Sequence, residues 1–424
     1  MSGHDLAASV RPASDSTVMT HHVVTTVRGG VTAPQGFAAA GIHCGIKKKR
    51  LPDLALLVSE RKGPVAGVFT TNRIAAAPVE LDRIYLRKKT GLAVIVNSGN
   101  ANACTGRQGM ADAVEMADLV ARRMKIAPHT VFVGSTGVIG QPLPMARIRQ
   151  GLPALMKQLR RTGGHDAATA ILTTDLKTKE AAYSARIGGR MITVGGMAKG
   201  SGMVHPDMAT MLAYVTTDAA IEQPALQQAL TAAVAKSFNC ISVDGDTSTN
   251  DTVLCLANGL AGNPLLRKGS TALATFQRLL DHVCLDLAMK VIRDGEGVTK
   301  VVKLAVTGAR THTDAKQIAR TIGTSLLVKT ALFGEDANWG RIVAALGRSG
   351  VAIDPQRIGL AFDGVPMMKA GSPLGAPAQR KIDRIVKHRE FTITIAIGQG
   401  AASAALWITD LSYEYVKINA SYRT

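Results

Sequence analysis

The stretch Gly195-Gly196-Met197-Ala198-Lys199-Gly200-Ser201-Gly202-Met203-Val204-His205-Pro206-Asp207-Met208-Ala209-Thr210-Met211-Leu212 decides how this chain is read. It sets four glycines within eight residues, then a proline, then a threonine that opens an apolar run, Met211–Val215. Four glycines invite a phosphate-loop reading, but the order GxxxxGK[ST] is absent because Lys199 precedes Gly200. A glycine-rich turn leading into a strand is otherwise generic, so the surroundings must decide.

Outward from this stretch, strand-like and helix-like runs alternate, which predicts an α/β class. Leu92–Val96 reads as a strand running into the turn formers Asn97-Ser98-Gly99-Asn100-Ala101-Asn102. Val131–Val133 reads as a second strand, ending in Gly134-Ser135-Thr136-Gly137-Val138-Ile139-Gly140. Helical spacing covers 110–125, 144–161 (with Pro153 to break or kink it), 223–238 and 270–292. Beyond a break near 297–300, strands are expected at Val302–Val306, Ile358–Phe362, Phe391–Ile397 and Ala405–Ile418, with helices near 313–329 and 338–347. The expected division is a mobile tail over 1–25, a core domain over 26–297 and a second α/β domain over 298–424.

The chain has 424 residues with a formal net charge of +19, so nucleic acid and anionic membranes need weighing. Aromatics are only 4%, too few to interleave with the basic residues as base-stacking platforms, and the charge is not gathered into one tract. It divides as +14 over 1–209 and +5 over 210–424. No apolar run reaches the ~18 residues of a membrane span. The first 22 residues are polar and mixed, without the apolar core of a secretory signal. Five cysteines lie far apart, without a CxxC pair, which fits reduced thiols in a cytoplasmic protein. The expectation is therefore no nucleic acid, no membrane and a cytoplasmic site. No His/Cys cluster has zinc spacing. Asp244, Asp246 and Asp251 in the stretch 244–251 imitate the opening of a calcium loop, but Cys255 stands where that loop needs a glutamate, so polar capping and turn bonds are expected there instead. No metal is expected.

Several blocks together resemble one family. Lys199-Gly200-Ser201-Gly202-Met203, Pro206 and Met208-Ala209-Thr210-Met211-Leu212 are similar to the self-cleavage motif of the ornithine acetyltransferases (bifunctional glutamate N-acetyltransferases) of arginine biosynthesis. Asn97–Gly106, Ser135–Gly140, Thr173-Thr174-Asp175, Gly334–Arg341 and Tyr415–Ala420 resemble further family blocks, in the same order. The resemblance runs from about residue 26 to the end of the chain. It implies a layered αββα sandwich core of the N-terminal-nucleophile kind, with a second, smaller α/β domain.

The resemblance also implies a chemistry. The precursor cuts itself between Ala209 and Thr210, giving chains 1–209 and 210–424, with two copies of each in the assembly. A threonine hydroxyl is a weak nucleophile until a base activates it. Once Thr210 is N-terminal, its own α-amine titrates near ~8 and supplies that base. N-acetylornithine then gives its acetyl group to Thr210, and glutamate takes it. The resemblance places the oxyanion hole on Thr136 and Gly137, a hydroxyl and a backbone N–H at the end of a strand. Substrate contacts fall on Thr173, Lys199, Thr210, Glu296, Asn419 and Thr424. Lys199 is a counter-charge for a substrate carboxylate, and Glu296 suits the side-chain ammonium of ornithine. No cofactor is implied, and acetyl-CoA is left open as a second acetyl donor. His205, five residues before Thr210, is a weaker candidate for assisting the cut. The competing reading is an N-terminal-threonine amidase or aminopeptidase, in which water takes the acyl group.

Overall fold

The computed structural model describes residues 24–205 and 211–421. The expected cleavage pair Ala209–Thr210, the contact residue Thr424 and nearly all of the expected 1–25 tail lie outside the described residues.

A nine-stranded sheet carries the first part of the chain. Its strands are β1 (Thr25–Thr26), β2 (Phe37–Ile42), β3 (Leu54–Phe69), β4 (Thr90–Asn100), β5 (Val131–Val138), β6 (Lys179–Ile187), β7 (Arg190–Lys199), β8 (Leu212–Thr217) and, after the short β9 (Ile241–Ser242), β10 (Thr252–Ala257). The order is β1-β6-β7-β8-β10-β3-β4-β5, with β2 paired to β3. Sixteen residues long, β3 belongs to both halves of this sheet. Leu54–Val58 pair with β2 and β4, whereas Val65–Phe69 pair with β10. The register shifts between Val58 and Gly63, which bends the strand and lets the sheet double back on itself.

The strand period of two sorts the side chains into layers. Ala55, Leu57, Val94, Val96 and Phe132 from one half interdigitate with Met197, Leu212, Tyr214, Leu254 and Leu256 from the other. Their sequence neighbours point outward. Leu54, Leu56, Ile95 and Val133 meet helices along one outer face, with α1 (Ala77–Leu86) packed beside α2 (Gly106–Met124) and α3 (Met145–Lys157). Ala213, Val215, Val253 and Cys255 meet α5 (Gln223–Lys236) and α6 (Thr271–Arg293) on the opposite face. Between α3 and α5, α4 (Gly164–Ala170) packs against the inner cluster. Helix, sheet, sheet and helix make the four-layer αββα core. Full burial of each large aliphatic side chain contributes ~1.5–3 kcal/mol.

A second, seven-stranded sheet follows, in the order β14-β13-β12-β15-β11-β16-β9. It contains β11 (Val301–Ala309), β12 (Gly359–Phe362), β13 (Val365–Lys369), β14 (Ser372–Pro373), β15 (Glu390–Ala396) and β16 (Ala402–Thr409). Val302, Leu304, Ile393, Ile395 and Ile408 pack under α7 (His312–Gly323), α8 (Leu326–Phe333), α9 (Trp339–Gly347) and α10 (Ala376–Ile385). The edge strand β9 comes from the first part of the chain and pairs with Trp407 and Ile408. One strand thus stitches the two sheets together. The last element is α11 (Tyr413–Ser421).

Four sequence readings are corrected. Asn97–Asn100 and Gly134–Gly137 do not turn; they continue β4 and β5, paired in parallel as Asn97↔Ser135, Ser98↔Thr136 and Gly99↔Gly137. Gly195 and Gly196 sit inside β7 rather than in a turn. A Cβ at Gly195 would lie 2.0 Å from the Gly30 carbonyl oxygen, so glycine is there for close approach. The expected helix 313–329 is two helices, α7 and α8, broken where Ser325 caps the second. The expected strand Ala405–Ile418 ends at Thr409. Asp410 turns back to accept the Thr299 and Lys300 amides, and Ser412 Oγ accepts the Tyr415 N–H of α11.

Candidate active site

A cavity of about 460 Å³ opens where the first sheet meets α11. Thr136 and Gly137 reach it from the end of β5, Lys199 from the end of β7, and Thr173 from the loop after α4. Glu296 comes from the turn after α6 and Asn419 from α11. Thr136, Gly137, Thr173, Lys199, Glu296 and Asn419 thus line one cavity, although they span 136 to 419, whereas the weaker candidate His205 is not in its lining.

Lys199 is 3% exposed and its Nζ donates to Thr136 Oγ1 at 3.1 Å. A hydroxyl that accepts from an ammonium keeps its own O–H to donate elsewhere, the arrangement an oxyanion donor needs. Burial lowers the Lys199 ammonium from its ordinary value, while Asp175 opposes that shift most strongly and Asp251 and Glu296 add to it. Gly137 has φ +134°, and a Cβ there would lie 2.3 Å from the Gly99 carbonyl carbon. Only glycine fits this join between β4 and β5.

Asp175 is the buried hub beside Lys199. Its Oδ1 accepts Gly200 N–H at 2.7 Å and the Lys179 ammonium at 2.6 Å, and its Oδ2 accepts Thr173 N–H at 3.0 Å. Burial alone pushes its carboxyl up; Lys199, Lys179 and these hydrogen bonds outweigh that and hold it at about 2. Lys179 also donates to Asp294 at 2.6 Å, and Asp294 accepts the Leu176 and Lys177 amides. The loop carrying Thr173 and the turn carrying Glu296 are therefore fixed from one buried cation.

On the far wall, Asn419 Nδ2 donates to Glu296 Oε2 at 2.9 Å. Glu296 N–H donates to the Ser201 carbonyl at 2.8 Å, and a Cβ at Gly202 would lie 2.4 Å from Glu296 Oε2. A side chain at 202 would displace the carboxylate. The Met203 and Val204 amides donate to Asp244, and Tyr415 OH donates to the same carboxylate at 3.2 Å. Asp244, a residue of the rejected calcium pattern, thus ties the stretch before the expected cut to α11. His205 Nδ1 lies 3.0 Å from Ser242 Oγ. The cavity pairs a buried cation and a preset hydroxyl at one end with a carboxylate at the other. It is built to take a small molecule with an anionic or carbonyl group and a separate ammonium.

The sequence assigned no role to Asp175, Lys179 or Asp294, and for the stretch holding Asn250 and Asp251 it implied only polar capping and turn bonds. Asp175 stood inside a recognised block, but its partner Lys179 bonds to Asp294 across 115 residues, a pairing no local pattern announces.

The family model described as the ArgJ family matches residues 38–424. The chain belongs to the ArgJ family. The arginine biosynthesis bifunctional protein ArgJ of Symbiobacterium thermophilum is 52% identical over 400 residues, covering 93% of this chain and 99% of that protein. The protein of the same name from Thermosynechococcus vestitus is 47% identical over 418 residues, covering 94% and 99%. That of Geobacter sulfurreducens is 49% identical over 390 residues, covering 92% and 99%. Residues on both sides of 206–210 in the sequence line the cavity. Among the described residues, no helix is long and apolar enough to cross a membrane.

Proposed function

We propose that this ArgJ-family chain is a self-cleaving acetyltransferase that moves an acetyl group from N-acetylornithine to glutamate. The observation that carries this reading is the convergence on one cavity of Thr136, Gly137, Thr173 and Lys199 from before the cut with Glu296 and Asn419 from after it. In the precursor, Thr210 Oγ attacks the Ala209 carbonyl carbon; the new C–O bond replaces the C–N bond, and the nitrogen becomes an amine. Water then hydrolyses the ester, leaving a carboxylate on Ala209 and a free hydroxyl on Thr210.

In turnover the Thr210 amine takes the hydroxyl proton, and Oγ attacks the acetyl carbonyl. The oxyanion receives hydrogen bonds from the Thr136 hydroxyl, held by Lys199, and from the Gly137 N–H. Ornithine leaves with its side-chain ammonium facing Glu296. Glutamate enters the same cavity and accepts the acetyl group from Thr210, with Thr424 completing the substrate contacts. The relatives' designation as bifunctional favours acetyl-CoA as a second donor to the same threonine. The enzyme works in the cytoplasm as an assembly of two copies of each cut chain, a reading that rests on the family resemblance.

The test pairs a denaturing gel with a transfer assay. The purified chain of 44.4 kDa should run as two bands of about 22 kDa each and form N-acetylglutamate from N-acetylornithine and glutamate. A single uncut, inactive band overturns the reading. Acetate release that ignores glutamate makes the protein the amidase instead.

A further inference from the structure

Two consecutive residues, Asn250 and Asp251, hold both halves of the site in place. Asn250 is buried, and its Nδ2 donates to the Ser135 carbonyl at 2.8 Å and the Ala101 carbonyl at 2.6 Å. Ser135 immediately precedes Thr136. Asp251 has no exposed surface, and its Oδ1 accepts the Met211 N–H at 3.0 Å. That N–H belongs to the peptide unit joining Thr210 to Met211. The Met211 carbonyl is taken as well, by Thr252 N–H at 3.1 Å. A stretch of three residues therefore grips the strand leading to the oxyanion donors with one side chain. It grips the first peptide unit after the nucleophile with the next.

Asp251 is an uneconomical choice for a purely structural residue. Its Oδ2 finds no hydrogen-bond partner among the described residues. Burying a carboxyl costs free energy unless its oxygens are hydrogen-bonded, a cost that an apolar side chain of similar size would not incur. Burial pushes its carboxyl above the usual range, and the Met211 amide and Lys199 oppose that shift. Departures of this kind mark functional sites.

We propose that Asn250 and Asp251 are positioning residues that set the separation between the Thr210 nucleophile and the Thr136–Gly137 oxyanion donors. This rests on the transferase reading above and adds to it the device that fixes attack geometry. Both the cut and the transfer need the hydroxyl and the oxyanion donors in register, and a displacement of 1 Å costs on the order of 10²-fold in rate.

The experiment uses the full chain with Asp251→Ala, Asp251→Asn, Asn250→Ala and the double alanine variant. Asparagine keeps an acceptor oxygen for the Met211 N–H in a side chain of the same shape. D251A should slow self-cleavage by about 10²-fold, and in its cut fraction lower kcat similarly while KM stays within about threefold. D251N should restore both rates to within about fivefold of the parent. N250A should lower kcat at least about tenfold with KM held, and the double variant should be little worse than the slower single one, because both act on one distance. Several results overturn the assignment: D251A as fast as the parent, D251N as slow as D251A, or KM rising while kcat holds. D251A without a cooperative melt also overturns it, since the residue then serves the core. The underlying reading fails separately, when the parent chain itself is uncut or transfers no acetyl group.

Discussion

The two sheets spend their interiors differently. Around the end of the nine-stranded sheet, the buried side chains include Asp175, Lys179, Lys199, Asn250 and Asp251, tied by hydrogen bonds between distant parts of the chain. The cluster under the seven-stranded sheet is aliphatic and aromatic, with Ile318, Ile322, Phe362, Ile393 and Ile395 at its centre. Buried charges stabilise poorly for their cost, whereas aliphatic packing stabilises directly. The first sheet has given up stability at one end to hold reactive groups still. The second gives the molecule mass, an edge for β9, and a platform from which α11 carries Tyr415 and Asn419 to the cavity.

The sharpest way to test that division is to remove the nucleophile. Thr210→Ala should leave the precursor uncut and abolish acetyl transfer, while the melt stays within a few degrees of the parent. Cleavage of this variant, seen as two bands on a denaturing gel, would assign the cut to another agent.

Next in size is Thr136→Ala, which removes a donor and leaves Lys199 Nζ without its 3.1 Å partner. It should lower kcat by about 10²–10³, or about 2.7–4 kcal/mol. Unchanged kcat in steady-state assays would take Thr136 out of the oxyanion hole.

A smaller effect belongs to pH. Asp175 sits at about 2 in the fold against an ordinary 3.8. A depressed carboxyl stabilises above its unfolded value and loses that contribution as pH falls through its folded value. Stability should therefore drop by on the order of 2 kcal/mol between about pH 4 and pH 2. Asp175→Asn should flatten that limb in denaturant titrations run across the window. An unaltered limb would mean that the hub around Lys179 is not the acid-sensitive part.

Much of the scaffold was legible because burial writes a period into sequence. Residues 223–238 and 270–292 read as helices and fold as Gln223–Lys236 and Thr271–Arg293, each with one apolar face to cover. What failed were places where tertiary pairing overrode local preference. Asn97–Asn100 and Gly134–Gly137 look like turns, yet each run finds its hydrogen-bonding partner in the other. At the chain's end, the alternation in Ala405–Ile418 hid the Asp410 and Ser412 bonds that stop β16 and start α11. The site was legible only in part for the same reason. Thr136 and Lys199 stand in recognisable blocks, but several of the residues that hold the site together do not. Asn250 reaches the Ser135 carbonyl 115 positions away, and Asp251 reaches Met211 40 positions away. Those contacts exist only once the sheet has doubled back along β3.

The smallest effect bears on the other side of the comparison. Ile395 is fully buried in β15, whose neighbours β11 and β12 hold it at Val306 and Leu360. Ile395→Val removes one methyl group and should cost about 0.5–1.5 kcal/mol, read as a lower denaturation midpoint with an unchanged m-value. Activity per folded molecule should not follow. One path from this cluster to Asn419 runs through β16, the Asp410 turn and Ser412. A methyl-sized void relaxes locally in a close-packed interior and has no hydrogen bond to pass along. If kcat/KM for acetyl transfer fell tenfold with so slight a loss of stability, the second sheet would be setting the position of α11 at the cavity. It would then be part of the site's machinery, and the division of labour between the two sheets would not stand.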